Sequence, residues 1–174
     1  MAAPAGVAVR VGLRALRGAD LPAVLRIQRE AYGDAYQESA TVLGGKLALA
    51  RASCWGAEAG GVLLGYAFAH PWRRASPPPL HAALESLPAA ADAVFVHDVA
   101  IAACARGHGL AARLLARIEA AARAGGYPAL SLVALGDALT YWQRHGFVPV
   151  AGAAPLPPGY GAGARFLQRA VVSV

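Results

Sequence analysis

Arg106-Gly107-His108-Gly109-Leu110-Ala111 is the stretch whose residue types and spacing point most directly to chemistry. It follows an apolar run over 95–103 and opens a segment of helical periodicity that ends at Gly125. A strand, a glycine-bearing loop and a helix start together make an anion site. The first N–H groups of a helix have no intrahelical partners, and the macrodipole leaves partial positive charge there. Gly107 and Gly109 let the backbone approach a phosphate closely, and Arg106 adds a full positive charge beside it. The same glycines also satisfy G-x-G-x-x-A, a dinucleotide fingerprint that requires an acidic residue about 20 positions onward. Residues 124–136 contain no Asp or Glu, and the glycines fall mid-chain, so that reading is the weaker one. No G-x-x-x-x-G-K-[ST] loop is present.

The elements that must position this loop can be read from the pattern. Residues 7–13 form a β-branched first strand, and Asp20-Leu21-Pro22 opens a helix over 20–32 with Asp20 as N-cap. A tyrosine-bearing turn, 33–39, precedes a second helix over 40–51. Strands at 53–57 and 62–70 flank a hairpin turn at 58–61. Residues 71–92 hold five prolines and a short helix-like piece, 81–87, and are a candidate lid. The strand 93–102 leads into the glycine loop. Leu110, Leu114, Leu115 and Ile118 give the next helix an apolar face, and Gly125-Gly126 stops it. A buried strand at 129–135 follows, then a short helix from Asp137 to His145 closed by Gly146, and two last strands at 147–150 and 165–172. Helices alternate with strands throughout, so the expected class is α/β: a single domain over 1–174 with a mixed sheet.

Composition narrows the partners. Sixteen Lys and Arg stand against ten Asp and Glu, a net charge of +6 that suits an anionic ligand. The arginines are scattered without interleaved aromatics, which argues against nucleic acid. No apolar run approaches the roughly 18 residues needed to cross a bilayer, and the N-terminus lacks the features of a secretory signal, so a cytoplasmic location off the membrane is expected. Cys54 and Cys104 read as free thiols and make no metal site.

The order strand, Arg106-Gly-His-Gly-Leu-Ala111, helix, strand, then Trp142-Gln143-Arg144-His145-Gly146-Phe147 resembles the GNAT superfamily of N-acetyltransferases over essentially residues 7–172. The glycine loop fits that family's R-x-x-G-x-G/A pattern. The resemblance implies a mixed, mostly antiparallel sheet of about seven strands flanked by about four helices. It implies acetyl-CoA as cofactor, with pyrophosphate on the amides of Gly107, His108, Gly109, Leu110 and Ala111 near Arg106. The pantetheine arm would pair with the backbone at Val99, Ile101 and Ala102, and Trp142 would lie beside the cofactor. The acceptor would be a small-molecule amine or a protein amino group, acetylated by direct attack in a ternary complex.

Such an acceptor must lose a proton before attack, and the departing thiolate gains from receiving one. His97 is the candidate base, because an ordinary imidazole titrates near pH 6.5 and because arylalkylamine acetyltransferases of this superfamily carry an active-site histidine there. Strand alternation puts His97 on one face with Phe95 and Val99. Asp98 then projects to the opposite face unless a bulge intervenes, either anchoring the neighbouring helix or meeting a cationic substrate. The sequence departs from the family at the position often filled by an acid tyrosine, which here is Trp142, and at Gly136, commonly asparagine. Tyr141 is the adjacent candidate acid, about 100° round the helix. That departure motivates an alternative, a CoA-binding module of the same fold without turnover. Tyr32 and Tyr36 are candidates to line the acceptor pocket. Glu30, Asp34 and Glu38 hint at a cationic acceptor, and the edge strands offer a homodimer contact.

Overall fold

The computed structural model describes residues 10–172. These form one seven-stranded sheet in the order β1-β2-β3-β4-β5-β7-β6. Every pairing is antiparallel except β4 with β5. The strands are β1 (Gly12–Ala15), β2 (Trp55–Ala59), β3 (Val62–Trp72), β4 (Ala93–Ile101), β5 (Ala129–Ala134), β6 (Val148–Pro149) and β7 (Arg165–Ala170). The helices among the described residues are α1 (Leu21–Tyr32), α2 (Ala40–Leu49), α3 (Leu110–Ala124) and α4 (Ala138–Arg144), besides single 3-10 turns. The mixed, mostly antiparallel sheet of seven strands with four helices agrees with the sequence expectation. No helix among the described residues is long and apolar enough to cross a membrane.

Two helix layers bury the sheet's faces. Leu110, Leu114, Leu115, Ile118 and Ala122 of α3 pack on Ala67, Ala69, Val94 and Val96 of β3 and β4. Val24 and Ile27 of α1 and Leu43 and Leu47 of α2 pack on Tyr66, Phe68 and Ala100 on the other face. Each such fully buried Leu or Ile contributes on the order of 1.5–3 kcal/mol. Apolar residues at helical spacing in α1 and α3 meet the period-two pattern of β3, and that match sets which face each helix covers.

Several local expectations shift. The first strand is β1, displaced from 7–13, of which 7–9 lie outside the described residues. Residues 81–87 form no helix. Asp20 does not cap α1: its carboxylate accepts from the Arg17 N–H at 2.8 Å and from Arg14 at 2.7 Å, closing the preceding 3-10 turn. Asp137 occupies the N-cap position of α4 without a side-chain cap bond. The α4 stop holds as read: Gly146 has φ +80°, and the N–H of Phe147 reaches Trp142 O at 3.1 Å.

The decisive irregularity is in β4. Phe68 pairs with Asp98 and Ala69 with Val96, so His97 is the extra residue of a β-bulge. The bulge resets the alternation. His97 keeps the face of Phe95, but its companion beyond the bulge is Asp98 rather than Val99. Val99 and Ile101 pack with the α3 cluster, whereas Ala100 packs with the α1–α2 cluster.

Candidate active site

The glycine loop lies where the sequence places it. Gly107 and Gly109 have φ of +79° and +69°, and a Cβ at either would meet nothing within 4 Å. Their glycine requirement is therefore one of backbone conformation, with open space above them. Gly109 is the N-cap of the 15-residue α3. A cavity of about 380 Å³ opens over this helix start, lined by Ile101, Arg106, Gly107, Gly109, Leu110 and Ala111 and, from α4, Tyr141 and His145. The exposed His108 turns its Nδ1 onto Arg106 O at 2.8 Å and is not among the cavity's lining residues.

β4 and β5 diverge beside that cavity. They pair only at Val94–Leu130 and Phe95–Ser131, and β4 then runs on to Ile101 without a strand partner on that side. The Ala102 N–H bonds within the sheet to Leu64 O at 2.8 Å. Antiparallel alternation then turns the N–H groups of Val99 and Ile101 toward the open edge. Both carbonyls there are satisfied from within: Tyr32 OH donates to Val99 O at 2.6 Å, and Arg106 Nε to Ile101 O at 3.1 Å. The edge therefore presents unpaired N–H donors, a chemistry suited to amide and thioester carbonyl oxygens.

A second cavity, about 340 Å³, continues past the divergence, with His97, Asp98, Val99, Gly136 and Trp142 among its walls. Behind it lies a buried ionic cluster. Glu38 Oε1 accepts from Lys46 Nζ at 2.7 Å and from the His81 N–H at 3.1 Å, and Glu38 Oε2 lies 2.6 Å from His97 Nε2. The side chains of Glu38, Lys46 and His97 are each 2% exposed or less. Burial by itself would raise the Glu38 carboxyl, but the His97 hydrogen bond and the positive charges beside it outweigh burial and hold it down at about 2. Burial also pulls Lys46 below the ordinary lysine value, with Glu38 opposing.

Lys46 Nζ also lies 2.9 Å from His97 Nε2. The tautomer with hydrogen on Nε2 donates to the Glu38 carboxylate and leaves the lone pair on Nδ1; the tautomer with hydrogen on Nδ1 accepts from Lys46 instead. That Nδ1 is buried and meets no protein donor or acceptor among the described residues. A carboxylate behind an imidazole whose other nitrogen is free is an arrangement that can accept a proton.

Asp98 comes to the same face by the bulge and is held structurally. Its Oδ2 accepts from Tyr66 OH at 2.6 Å and Gln28 Nε2 at 2.8 Å, tying β4 to β3 and α1. Burial raises its pKa, and the Tyr66 hydrogen bond opposes that rise. These bonds are those of an anchor, and they engage Oδ2 alone while Asp98 also lines the His97 cavity.

Tyr141 and Trp142 exchange the places expected for them. Trp142 lines the His97 cavity, whereas Tyr141 lines the glycine-loop cavity and stacks on His145 with ring centroids 4.3 Å apart. Neighbouring residues on a helix differ by about 100°, so only one of them can face His97. The acids read as a cationic lure are also engaged elsewhere. Glu30 accepts from the Ala103 N–H at 2.7 Å, Asp34 pairs with Arg29 at 3.1 Å, and Glu38 belongs to the buried cluster.

A family model described as the acetyltransferase (GNAT) family matches residues 21–147. The chain belongs to the GNAT acetyltransferase family. Among solved structures, this GNAT chain is similar to Ard1 from Thermoplasma volcanium, with a TM-score of 0.74 at 15% identity over 95% of this chain and 100% of that one. It is also similar to Rv2747 from Mycobacterium tuberculosis, solved with CoA (TM-score 0.69, 16% identity, 92% and 99% coverage). A third is the GNAT-like decarboxylase GphF, solved with isobutyryl-CoA (0.71, 18%, 92% and 100%). At these identities the likeness is one of fold. No curated protein sequence matches the chain.

Sequence reasoning missed Lys46 and the structural engagement of Glu38. One signal was available: Lys46 is the single lysine beside fifteen arginines. Nothing in spacing could have shown that it is buried and paired with a residue eight positions before it across a helix start.

Proposed function

We propose that this GNAT protein is an N-acetyltransferase that moves the acetyl group of acetyl-CoA to a primary amine by direct attack in a ternary complex. The observation that carries the reading is the pairing of a β4 edge that presents N–H donors with a positive-φ glycine loop at the N-terminus of α3. The two suit the carbonyls and the pyrophosphate of one extended ligand, and the solved CoA complexes of the same fold support that choice. Open space above Gly107 and Gly109 fits a pyrophosphate, with the α3 amides and Arg106 as its partners.

Acetyl-CoA supplies an acyl group already activated as a thioester. The chain's own residues bind and orient it. The N–H groups of Val99 and Ile101 would meet carbonyl oxygens, and the walls of the His97 cavity exclude water. His97 is assigned as the base that takes the proton from the acceptor ammonium, with Glu38 holding the ring and stabilising the imidazolium that forms. Tyr141 stands apart from His97 in the glycine-loop cavity, on the cofactor's side of the site.

The test is a thermal shift with acetyl-CoA, with NADH and isobutyryl-CoA in parallel wells, followed by thiol release with an amine panel. Ligand at about 100 times its Kd stabilises by roughly 2.7 kcal/mol, which raises Tm by on the order of 5–10 °C in a domain of this size. Stabilisation by acetyl-CoA with amine-dependent thiol release is the expected result. A shift with NADH alone, or none, refutes it. The position of Trp142 favours one competing reading, a CoA-binding module without turnover; that reading expects the thermal shift but no thiol release.

A further inference from the structure

We infer that Asp98 seats the acceptor's ammonium group, with Oδ2 as the fixed end of its carboxylate and Oδ1 as the end that meets the amine. This rests on the acetyltransferase reading and adds a substrate contact to it. The two oxygens have unequal surroundings. Oδ2 accepts from Tyr66 OH at 2.6 Å and from Gln28 Nε2 at 2.8 Å. Oδ1 accepts from no donor among the described residues and keeps surface toward the cavity that Asp98 lines, whereas His97 Nδ1 has no appreciable accessible surface. The other side-chain acceptors of this floor are spent. Gln28 Oε1 accepts from the Glu38 N–H at 3.0 Å, and both Glu38 oxygens are taken.

Charge points the same way. A buried carboxylate ordinarily has a cation beside it. Glu38 has Lys46, but Asp98 makes no ion pair among the described residues, and neither lysine nor arginine lines the cavity. Its two donors, Tyr66 and Gln28, are neutral. Burial raises the Asp98 pKa, and a cation at Oδ1 is what would restore the charged form. A primary ammonium supplies that charge together with N–H donors. Tyr32 offers a second acceptor for them. Its OH donates to Val99 O at 2.6 Å, which leaves a lone pair on the oxygen, and burial followed by the Asp98 charge keeps the phenol neutral. Tyr36 and Trp142 add aromatic walls that also suit a cation.

The β-bulge gives this seat its place. Regular alternation would turn Asp98 away from His97. The extra residue brings both to one face and leaves Asp98 directly before Val99, whose N–H lies on the open edge of β4. An ammonium on Oδ1 is therefore held beside the base and one residue from the strand edge that would hold the thioester, which is the placement a direct attack needs.

The test separates the two oxygens. Asp98→Asn keeps an oxygen for Tyr66 and Gln28 and puts an NH2 group in place of the free Oδ1, whereas Tyr66→Phe removes a donor from Oδ2 and spares Oδ1. The probes are butylamine, phenethylamine and an alanine-initiated tripeptide amide, each beside its counterpart with hydroxyl in place of the amine. Calorimetric binding is measured on the CoA-loaded protein, and kcat/KM with acetyl-CoA. At least one amine is expected to bind the parent protein about tenfold or more tighter than its hydroxyl counterpart. Asp98→Asn is expected to lose that preference and about tenfold or more in kcat/KM, with acetyl-CoA affinity within about twofold of the parent. Tyr66→Phe is expected to keep the preference. No amine bound in preference to its counterpart, or an unchanged preference in Asp98→Asn, overturns the proposal. Should Asp98→Asn not fold, the carboxyl 13C resonance of Asp98 in the parent decides: a shift with the amine and none with its counterpart is expected, and no shift with the amine overturns the proposal. Thiol release undiminished in Asp98→Asn overturns this seat and leaves the acetyltransferase reading standing. Amine-selective binding lost in Asp98→Asn, without thiol release in the parent, overturns that reading and supports the seat.

Discussion

Replacing Lys46 by Met tests whether the buried Glu38 cluster is held by opposed charge. The side chain keeps its length and loses its ammonium, so Glu38 retains only His97 and the His81 N–H. With its carboxyl held at about 2 against 4.5 when unperturbed, Glu38 contributes about 3 kcal/mol at neutral pH, at 1.36 kcal/mol per unit. The folded pKa is the depressed one. The contribution is therefore complete above the unfolded value of 4.5 and is lost as pH falls from there toward about 2.

Removing one partner of a buried pair costs about 3–5 kcal/mol, and the two remaining contacts place Lys46→Met at the low end, about 3 kcal/mol. In a domain of this size that lowers Tm by roughly 6–12 °C. Urea unfolding at pH 7 and pH 4 reads the effect. The loss is expected to be larger at pH 7, because acid weakens the cluster in the parent protein too. The double variant Lys46→Met/Glu38→Leu, which replaces both charges by apolar groups, is expected to regain at least half of the loss. A Lys46→Met protein within about 0.5 kcal/mol of the parent, or a double variant less stable than either single one, refutes the charge-pairing argument.

Four further variants test the same geometry. Gly109→Ala is expected to destabilise by about 1–2 kcal/mol through its positive φ alone and to weaken acetyl-CoA binding, which calorimetry would show. His97→Gln should lower kcat by about 10²-fold or more with little change in acetyl-CoA affinity, whereas Tyr141→Phe should act on the KM for acetyl-CoA and leave kcat within about twofold; a kcat loss of about tenfold in Tyr141→Phe would return that tyrosine to the chemistry. Tyr66→Phe removes one of two donors to the buried Asp98 and is expected to cost about 1–3 kcal/mol in denaturant unfolding, and an unchanged midpoint would contradict the anchoring role.

Local physics explains what the sequence by itself determined. A glycine pair after an apolar run and before a helical period opens a helix, so the loop at Gly107 and Gly109 and the start of α3 were legible. Apolar residues at spacing three and four made α1 and α3 readable, and the β-branched and alanine-rich runs made β3, β4 and β5 readable. Gly146 ended α4 as its missing Cβ requires. Each of these signals lies within one turn or one strand.

The tertiary structure decided what depended on register and on contacts distant in the chain. The bulge at His97 exists only because β3 and β4 pair with unequal residue counts, and it alone brings Asp98 to the face of His97. Asp20 left its expected cap because Arg14 and the Arg17 N–H compete for its carboxylate. Tyr141 and Trp142 could not be ranked until α4 was rotated onto the sheet, since both are adjacent on one helix. Lys46, Glu38 and His97 lie on a helix, a turn and a central strand separated by up to 59 positions, and only packing makes them one ionic group. Burial then gives the group its charge state, and no spacing in a sequence encodes burial of a lysine.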